Sequence, residues 1–84
     1  MRCAYIFGLR VDHRTANAVE LQEVLTRYGC HIKLRVGLHE TGEDFCSDGG
    51  LILLQACGEP QRMQEMLEAF NQTEGVRAKL MELD

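Results

Sequence analysis

The chain has 84 residues, of which 45% are hydrophobic and 26% charged, and its formal net charge is −4. This length fits a single domain spanning residues 1–84, and a domain this small buries only about 60% of its unfolded surface. The excess of acids argues against nonspecific nucleic-acid binding as the main activity, because phosphate attraction needs concentrated lysine and arginine, but it leaves a local basic patch open. No stretch has the length of a membrane helix.

Four cysteines are scattered through the sequence, and no two form a Cys-x-x-Cys pair. The first residues also lack the pattern of a secretory signal peptide. Both observations predict a cytoplasmic chain whose thiols are reduced. In that setting we expect Cys3 and Cys57 to act as small buried apolar residues.

The first half of the chain predicts a strand, a helix and a second strand. Residues 3–11 are apolar on both faces, as in a central strand. Residues 12–15 are polar and suit a helix start. The helical spacing that follows is carried by Ala18, Leu21, Leu25 and Tyr28. Gly29 then predicts the end of the helix, where a left-handed residue is favoured.

The segment after Gly29 alternates between apolar and polar residues. Its two predicted faces are Ile32, Leu34, Val36 and Leu38 on one side, and His31, Lys33, Arg35 and Gly37 on the other. Alternation of this kind is typical of a strand with one buried face. We therefore expect the four apolar residues to pack into the core.

The last third of the chain repeats the strand–helix–strand order. Residues 51–54 are apolar on both faces, and Gly58 breaks the run. Pro60 suits the first turn of a helix. The helix is predicted by Met63, Met66, Leu67 and Phe70, at positions i, i+3, i+4 and i+7. Residues 76–81 alternate again, which indicates a final one-sided strand.

The element order is therefore βαββαβ. Strands one and three are apolar on both faces, which places them in the middle of a sheet, and right-handed crossovers give the strand order 4-1-3-2. The sequence predicts an α+β fold of the ferredoxin-like type, an antiparallel sheet with both helices on one face.

The opposite face of this sheet is predicted to be partly apolar. Ala4, Ile6, Gly8 and either Ile52 or Leu53 are expected in its middle. The flanking edge-strand residues are Lys33, Arg35, Arg77 and Lys79. Because a large apolar patch is seldom left exposed, we expect a second subunit to cover it, or edge strands to pair between subunits. The alternative is a solvated face with scattered apolar residues.

Three segments, "VDHRTANAVELQEVLTRYGCHIKLRVGLHE", "GGLILLQACG" and "GVRAKLMEL", resemble a family of small ACT-like proteins described as iron-only hydrogenase system regulators. The most specific stretch is "YGCHIKLRVGLHE". The family is similar in fold to the C-terminal, ligand-binding domain of the nickel-responsive repressor. The resemblance implies an ACT-like domain that assembles into dimers or tetramers. It brings no ligand or cofactor that can be assigned to these residues.

The segment from His39 to Gly50 is rich in acids and glycines. One interpretation is a flexible, solvated connection between strands. The other is metal binding by His39 with Cys46 or an acid, because imidazole and thiolate suit nickel, zinc or copper. By similarity to the nickel repressor, His31 and Cys30 are further candidates. The absence of a close His-x-His pair weakens a nickel site.

A second candidate site follows the first strand. It consists of Arg10, Asp12, His13, Arg14 and Asn17. Backbone amides at a helix start favour an anion, and Arg14 is suited to pair with a carboxylate. In ACT-like domains small ligands commonly lie between this turn and a neighbouring subunit. The alternative is an exposed helix cap with solvated charges.

Catalysis is not predicted. Arg14 and Asn17 invite comparison with ferredoxin-like acylphosphatases, but the glycine-bearing anion loop of those enzymes is missing from "VDHRTAN". RNA binding would need aromatic residues on the exposed face of the central strands, whereas Tyr5 and Phe7 are assigned to the core.

The sequence thus predicts a cytoplasmic regulatory domain that senses a small ligand or binds a partner, with a link to the iron-only hydrogenase system implied by the resemblance. The alternative function is a transition-metal sensor that uses His31, His39 and Cys46 at a subunit interface. A homo-oligomer is expected. Direct nucleic-acid binding is not expected, so any effect on transcription would need a second protein.

Overall fold

Four strands and two helices form one antiparallel sheet with a helical layer. The computed structural model describes residues 2–12, 14–41 and 46–83. The elements are β1 (Arg2–Val11), α1 (Arg14–Arg27), β2 (Ile32–Thr41), β3 (Cys46–Gly58), α2 (Pro60–Gln72) and β4 (Val76–Glu82). The strand order β2-β3-β1-β4 is the predicted order 4-1-3-2 read from the other edge. The predicted ferredoxin-like fold is confirmed.

The core lies between the sheet and the helices. Phe7 and Leu9 of β1 are fully buried, as is Phe70 of α2. The rings of Phe7 and Phe70 meet edge to face, with centroids 5.7 Å apart, a favoured geometry for aromatic pairs. Burial of each large side chain contributes about 1.5–3 kcal/mol. Neither helix in the described ranges has the length and apolar character that crossing a lipid bilayer demands.

Helix α2 begins and packs as its sequence predicts. Pro60 occupies its first turn, where a missing N–H costs nothing, and Glu59 precedes it without a side-chain capping bond. Met63 and Met66 are fully buried with Phe70, and Leu67 packs partly against them. The i, i+3, i+4, i+7 pattern therefore identifies the buried stripe of the helix.

The hairpin between β2 and β3 extends further than the sequence suggests. His39 pairs with Gly50, and Thr41 pairs with Cys46. The segment interpreted as a flexible connection is therefore strand at both ends, up to Thr41 and from Cys46, and its middle, residues 42–45, lies outside the described residues. Strand pairing satisfies the backbone of these polar residues, and that contribution is invisible in their side-chain composition.

The predicted faces of β2 are wrong beyond Ile32. The register with β3 shifts between Ile32 and Leu34, so Lys33 is an extra residue, and one extra residue reverses the faces of the rest of the strand. Ile32 packs against the core, but Leu34 is 54% exposed on the opposite face. Arg35 lies on the helix side, where its guanidinium donates to Oε1 of Gln22 at 3.4 Å.

Cys3 and Cys57 form a disulfide bond, with Cα atoms 3.9 Å apart. Cys57 is 3% exposed, whereas Cys3 is exposed. The expectation of reduced thiols is therefore wrong for this pair, and the expectation of burial is wrong for Cys3. The two residues are 54 positions apart in sequence, and only the antiparallel pairing of β1 with β3 brings them together. Cys30 is a free, exposed cysteine.

The outer edge of β4 is covered at Ala78 by the side chain of Asn71. Its Nδ2 donates to the carbonyl of Ala78 at 3.1 Å, and its Oδ1 accepts from the Ala78 N–H at 2.8 Å. The Val76 N–H is also engaged, by the Thr73 carbonyl at 3.1 Å. An unpaired strand edge invites pairing with another chain. The amide of Asn71 occupies this edge in the way that a neighbouring strand would.

One buried polar group has no partner. The Tyr5 hydroxyl approaches Arg2 and Glu82 but forms no hydrogen bond with any described residue. Burial, followed by the Glu82 carboxylate, raises the pKa of Tyr5 above its ordinary value of 10.0. The unfolded chain therefore releases this proton first as the pH rises. The contribution of Tyr5 to stability is complete below pH about 10 and falls above it.

The variant Tyr5→Phe removes the unpaired hydroxyl and keeps the buried ring. We expect its Tm at pH 7 to equal or exceed that of the natural chain, because no hydrogen bond is lost. Above pH about 10 the variant should lose less stability than the natural chain. Thermal unfolding from pH 7 to 11 measures both effects. A lower Tm at pH 7 would show that the hydroxyl has a partner.

Candidate functional site: the open face of the sheet

The face of the sheet that points away from the helices is called the open face. Its described members are Ile6, Gly8, Arg10, Leu34, Val36, Leu51, Leu53, Gln55, Arg77, Lys79 and Met81. Strand register aligns them in rows. One row runs across all four strands as Val36, Leu53, Gly8 and Lys79. The open face is therefore a continuous surface built from every strand.

The half of the open face on β2 and β3 is apolar. Leu34 and Val36 lie on the edge strand, with Leu51 and Leu53 beside them. All four are exposed, with Leu53 at 39%. Their arrangement follows from the extra residue in β2, which turns the apolar side chains of that strand outward. A cluster of exposed branched aliphatic residues is uncommon on a monomeric protein and typically marks an interaction site.

Gly8 provides no side chain in the middle of the open face. A Cβ atom added at this position would lie 3.9 Å from Cδ2 of Leu53, which is an ordinary contact. The fold of the single chain therefore does not demand glycine here. The absence of a side chain instead allows another surface to approach the backbone of β1 closely.

The other half of the open face, on β1 and β4, is called the basic half because it carries three exposed cations; its remaining members are Ile6, Gly8 and Met81. Arg10 and Arg77 are direct neighbours on β1 and β4, and Lys79 is on the same side of β4. Arg10 also forms an exposed ion pair with Asp12, with Nε and Oδ1 3.5 Å apart, and a pair so exposed contributes little to stability. Three cations with one carboxylate leave this half positive in a chain whose net charge is −4.

The ligand site predicted after β1 borders this basic half. Asp12 is fixed by its N–H, which donates to the Gly75 carbonyl at 2.7 Å. Arg14 and Asn17 lie in the first turns of α1, and their side chains fall outside what the structure describes, as does His13 entirely. Arg10 and Asp12 are thus placed together at this end of the sheet. Their neighbour is Arg77, which the sequence analysis placed on the open face but did not include in the ligand site.

The predicted metal ligands are divided between the two ends of β2. His31 precedes the strand, and its Nδ1 lies 3.1 Å from the Cys57 carbonyl oxygen. His39 pairs with Gly50 at the far end, where Cys46 also begins β3. The two histidines are eight positions apart, which corresponds to about 25 Å along a strand, so they do not meet within one chain. In the described ranges, no three His, Cys, Asp or Glu residues are grouped to hold a metal.

Sequence reasoning missed the apolar half of the open face on β2. It placed Leu34 and Val36 in the core and put Lys33 and Arg35 on the face instead. The available signal was on β3, where the apolar run 51–54 already required apolar residues on both sides of the sheet. It also offered Ile52 or Leu53 for the face, and the structure selects Leu53, because Ile52 packs against the core.

No protein-family model matches the chain, and no curated protein matches it in sequence. Among solved structures, it is similar to the uncharacterized protein TM1266 from Thermotoga maritima, with 24% identity, a TM-score of 0.81 and 95% of each chain covered. It is also similar to CPII, a nitrogen regulatory PII-like protein from Thiomonas intermedia K12 bound to ADP, AMP and bicarbonate. That match has 16% identity and a TM-score of 0.51, covering 95% of this chain and 93% of CPII.

A functionally unknown protein from Pediococcus pentosaceus ATCC 25745 is similar as well. It has 16% identity and a TM-score of 0.51, and the match covers 99% of this chain and 95% of that protein. At these identities the likeness is one of fold. The chain therefore has the ferredoxin-like architecture that these three proteins share.

Proposed function

We propose that this chain is a non-catalytic regulatory domain that self-associates through the open face and binds a small anionic ligand at its basic half. The observation that carries the proposal is the division of the open face into an apolar half on β2 and β3 and a basic half on β1 and β4. Each half suits a different occupant.

A second copy of the chain fits the apolar half. Two identical apolar surfaces are complementary when they are related by a two-fold axis, the commonest symmetry of soluble assemblies. An axis through the apolar half, parallel to the strands, places Leu53 of each copy near the centre. It also places the two sets of Arg10, Arg77 and Lys79 on opposite sides, so the cations do not repel one another. The missing side chain at Gly8 lets the edge of the partner approach β1 closely.

A small anion fits the basic half. Arg77 and Lys79 have no ion-pair partner among the described residues, and charge-assisted bonds to phosphate or carboxylate satisfy such groups. A ligand bound at the edge of the subunit interface would couple ligand binding to assembly. This coupling requires that the ligand bind the monomer and the oligomer with different affinities. CPII, with the same fold, is bound to ADP, AMP and bicarbonate. These anions are therefore the first probes to use.

The physiological setting follows from the sequence resemblance. We place the domain in the cytoplasm and in regulation linked to the iron-only hydrogenase system, with any effect on transcription exerted through a second protein. The support for this setting is the stretch "YGCHIKLRVGLHE". The fold is compatible with it and with other regulatory roles.

Self-association is tested by the variant Leu53→Lys. We expect the natural chain to sediment as an oligomer and the variant as a single chain, because a buried ammonium at the centre of the contact would be unpaired. Analytical ultracentrifugation over a range of concentrations measures both. The control is Val19→Lys on α1, where the natural side chain is 74% exposed and away from the open face. A natural chain that stays single at high concentration would refute the assembly.

Anion binding is tested by the double variant Arg77→Ala with Lys79→Ala. With ADP, AMP or bicarbonate as titrant, we expect affinity to fall by roughly 10- to 100-fold, the loss typical of charge-assisted hydrogen bonds. The control is Arg62→Ala, since Arg62 bonds Glu65 on the surface of α2 at 2.9 Å, away from the open face. Equal affinities for the natural chain and the double variant would exclude the basic half as the site.

A further inference from the structure

We propose that the Cys3–Cys57 pair is a thiol–disulfide exchange site. Its co-substrate would be a low-molecular-weight thiol of the glutathione class, and its reduction would release the N-terminal end of β1. The proposal does not require the open face to bind anything. It goes beyond the proposed function by assigning the chain a redox-sensitive covalent site.

The two halves of the disulfide differ in accessibility. Cys3 is exposed, whereas Cys57 is 3% exposed. Exchange begins when a thiolate attacks one sulfur, and access decides which sulfur is attacked. An incoming thiol therefore reaches Cys3 first. A disulfide that serves only as a structural crosslink is better protected when both cysteines are buried.

The Cys57 half is held rigidly by its neighbours. Its N–H donates to the His31 carbonyl at 2.8 Å, and its carbonyl oxygen lies 3.1 Å from Nδ1 of the same residue. The next residue, Gly58, is closely packed, since an added Cβ would lie 2.8 Å from Cε of Met63. Cys57 therefore keeps its place whether or not the disulfide is present.

The Cys3 half is held weakly. The register of β1 with β3 is irregular between Arg2 and Tyr5. The Cys3 carbonyl accepts from Nε2 of Gln55 at 2.9 Å, a bond exposed to solvent. Arg2 is tied to Glu82 by an ion pair whose side chains are 56% and 40% exposed. The Leu83 N–H also donates to the Ala4 carbonyl at 2.9 Å, so loss of the disulfide should loosen β1 at its first residues rather than along its whole length.

The exchange requires two equivalents of thiol. The first thiolate attacks Sγ of Cys3, forms a mixed disulfide there and expels the Cys57 thiolate, which takes a proton from water. A second thiolate attacks the outer sulfur of the mixed disulfide, releasing the oxidised thiol dimer and the Cys3 thiolate, which is protonated in turn. The protein disulfide gains two electrons, and the two small thiols lose them. The reverse reaction, with the oxidised dimer as oxidant, restores the bond.

Reduction also reaches the open face, a consequence that rests on the proposed function. Gln55 lies on that face, between Leu34 and Ile6 in the strand register, and its side chain is held by the Cys3 carbonyl. A cytoplasmic disulfide is usually redox-sensing rather than structural. The exchange site thus gives the chain a means of linking thiol redox state to its interaction surface.

The experiment uses the full chain with Cys30→Ser and Cys46→Ser, so that only Cys3 and Cys57 are counted. The protein is equilibrated with reduced and oxidised glutathione at varied ratios, quenched with acid and alkylated. Intact-protein mass spectrometry then counts the alkylated thiols. We expect a change from no free thiols to two within the range of ratios that glutathione buffers. Hydrogen exchange should then accelerate in residues 2–6 and remain unchanged around Cys57.

Single variants test the asymmetry. With Cys57→Ser, Cys3 should add one glutathione from the oxidised dimer; with Cys3→Ser, Cys57 should react at least 10-fold more slowly. Two free thiols at every ratio, or a disulfide that excess reduced glutathione never opens, would overturn the proposal. Equal reactivity of the two single variants would also overturn it. None of these results depends on assembly or anion binding, so the proposed function stands or fails separately.

Discussion

The variant Phe7→Ala is expected to lower the free energy of unfolding by about 3–5 kcal/mol, the usual cost of deleting a fully buried aromatic side chain. Phe7 is 0% exposed and lies on a central strand. Its ring meets that of Phe70 edge to face, so the variant leaves a cavity and also removes the aromatic contact between β1 and α2. Since small domains have only about 5–15 kcal/mol of stability, we expect much of the chain to unfold at 37 °C.

Urea unfolding at a fixed protein concentration measures the loss. The control is Val19→Ala, because the natural side chain is 74% exposed on α1, and surface substitutions of this kind change stability by only about 0.5 kcal/mol. A loss below about 1.5 kcal/mol for Phe7→Ala, the size expected for a modest change in packing, would mean that the ring is not enclosed between sheet and helix.

Removal of the disulfide is expected to have the next largest effect. The bond closes a loop between residues 54 positions apart, and restriction of the unfolded chain by such a loop stabilises a protein by about 2–4 kcal/mol. The double variant Cys3→Ser with Cys57→Ser should therefore unfold roughly 10–30 °C lower than the oxidised natural chain. The fold itself should persist, because the core residues around Phe7 and Phe70 are untouched.

Added reductant provides the matched control. The natural chain should fall to nearly the Tm of the double variant when dithiothreitol is present, whereas the double variant should not respond. The same scan on Cys30→Ser should reproduce the natural behaviour, because Cys30 is not part of the disulfide. A natural chain whose Tm is indifferent to reductant would show that the bond does not stabilise the fold.

The topology was predictable because it follows from side-chain periodicity. Strands apolar on both faces had to be central, and the crossover rule then left one order. The helix stripe at Met63, Met66 and Phe70 followed in the same way. These inferences depend only on the spacing of apolar residues, which can be read within each segment without knowing which other segments it contacts.

The candidate site was less predictable because it depends on pairing between distant segments. Lys33 is an ordinary strand residue until its position opposite β3 makes it an extra one, and this single insertion turns Leu34 and Val36 outward. Likewise, nothing near Cys3 in sequence indicates that Cys57 is its neighbour. The alternation of residues within one strand does not reveal a bulge, because a bulge is defined by the pairing of that strand with its neighbour.

The two borders of the sheet differ in a way that limits growth by strand addition. Asn71 already satisfies both backbone groups of Ala78 on the β4 border, while residues 33–37 of β2 are exposed on the other. A strand approaching β4 meets the Asn71 amide at Ala78, whereas a strand approaching β2 meets no comparable side chain among the described residues. Stacks that lengthen indefinitely, as in fibrils, need two receptive borders on every member. The amide of Asn71 thus disfavours strand addition at the Ala78 end of β4, so we expect any backbone pairing between copies to use the β2 border.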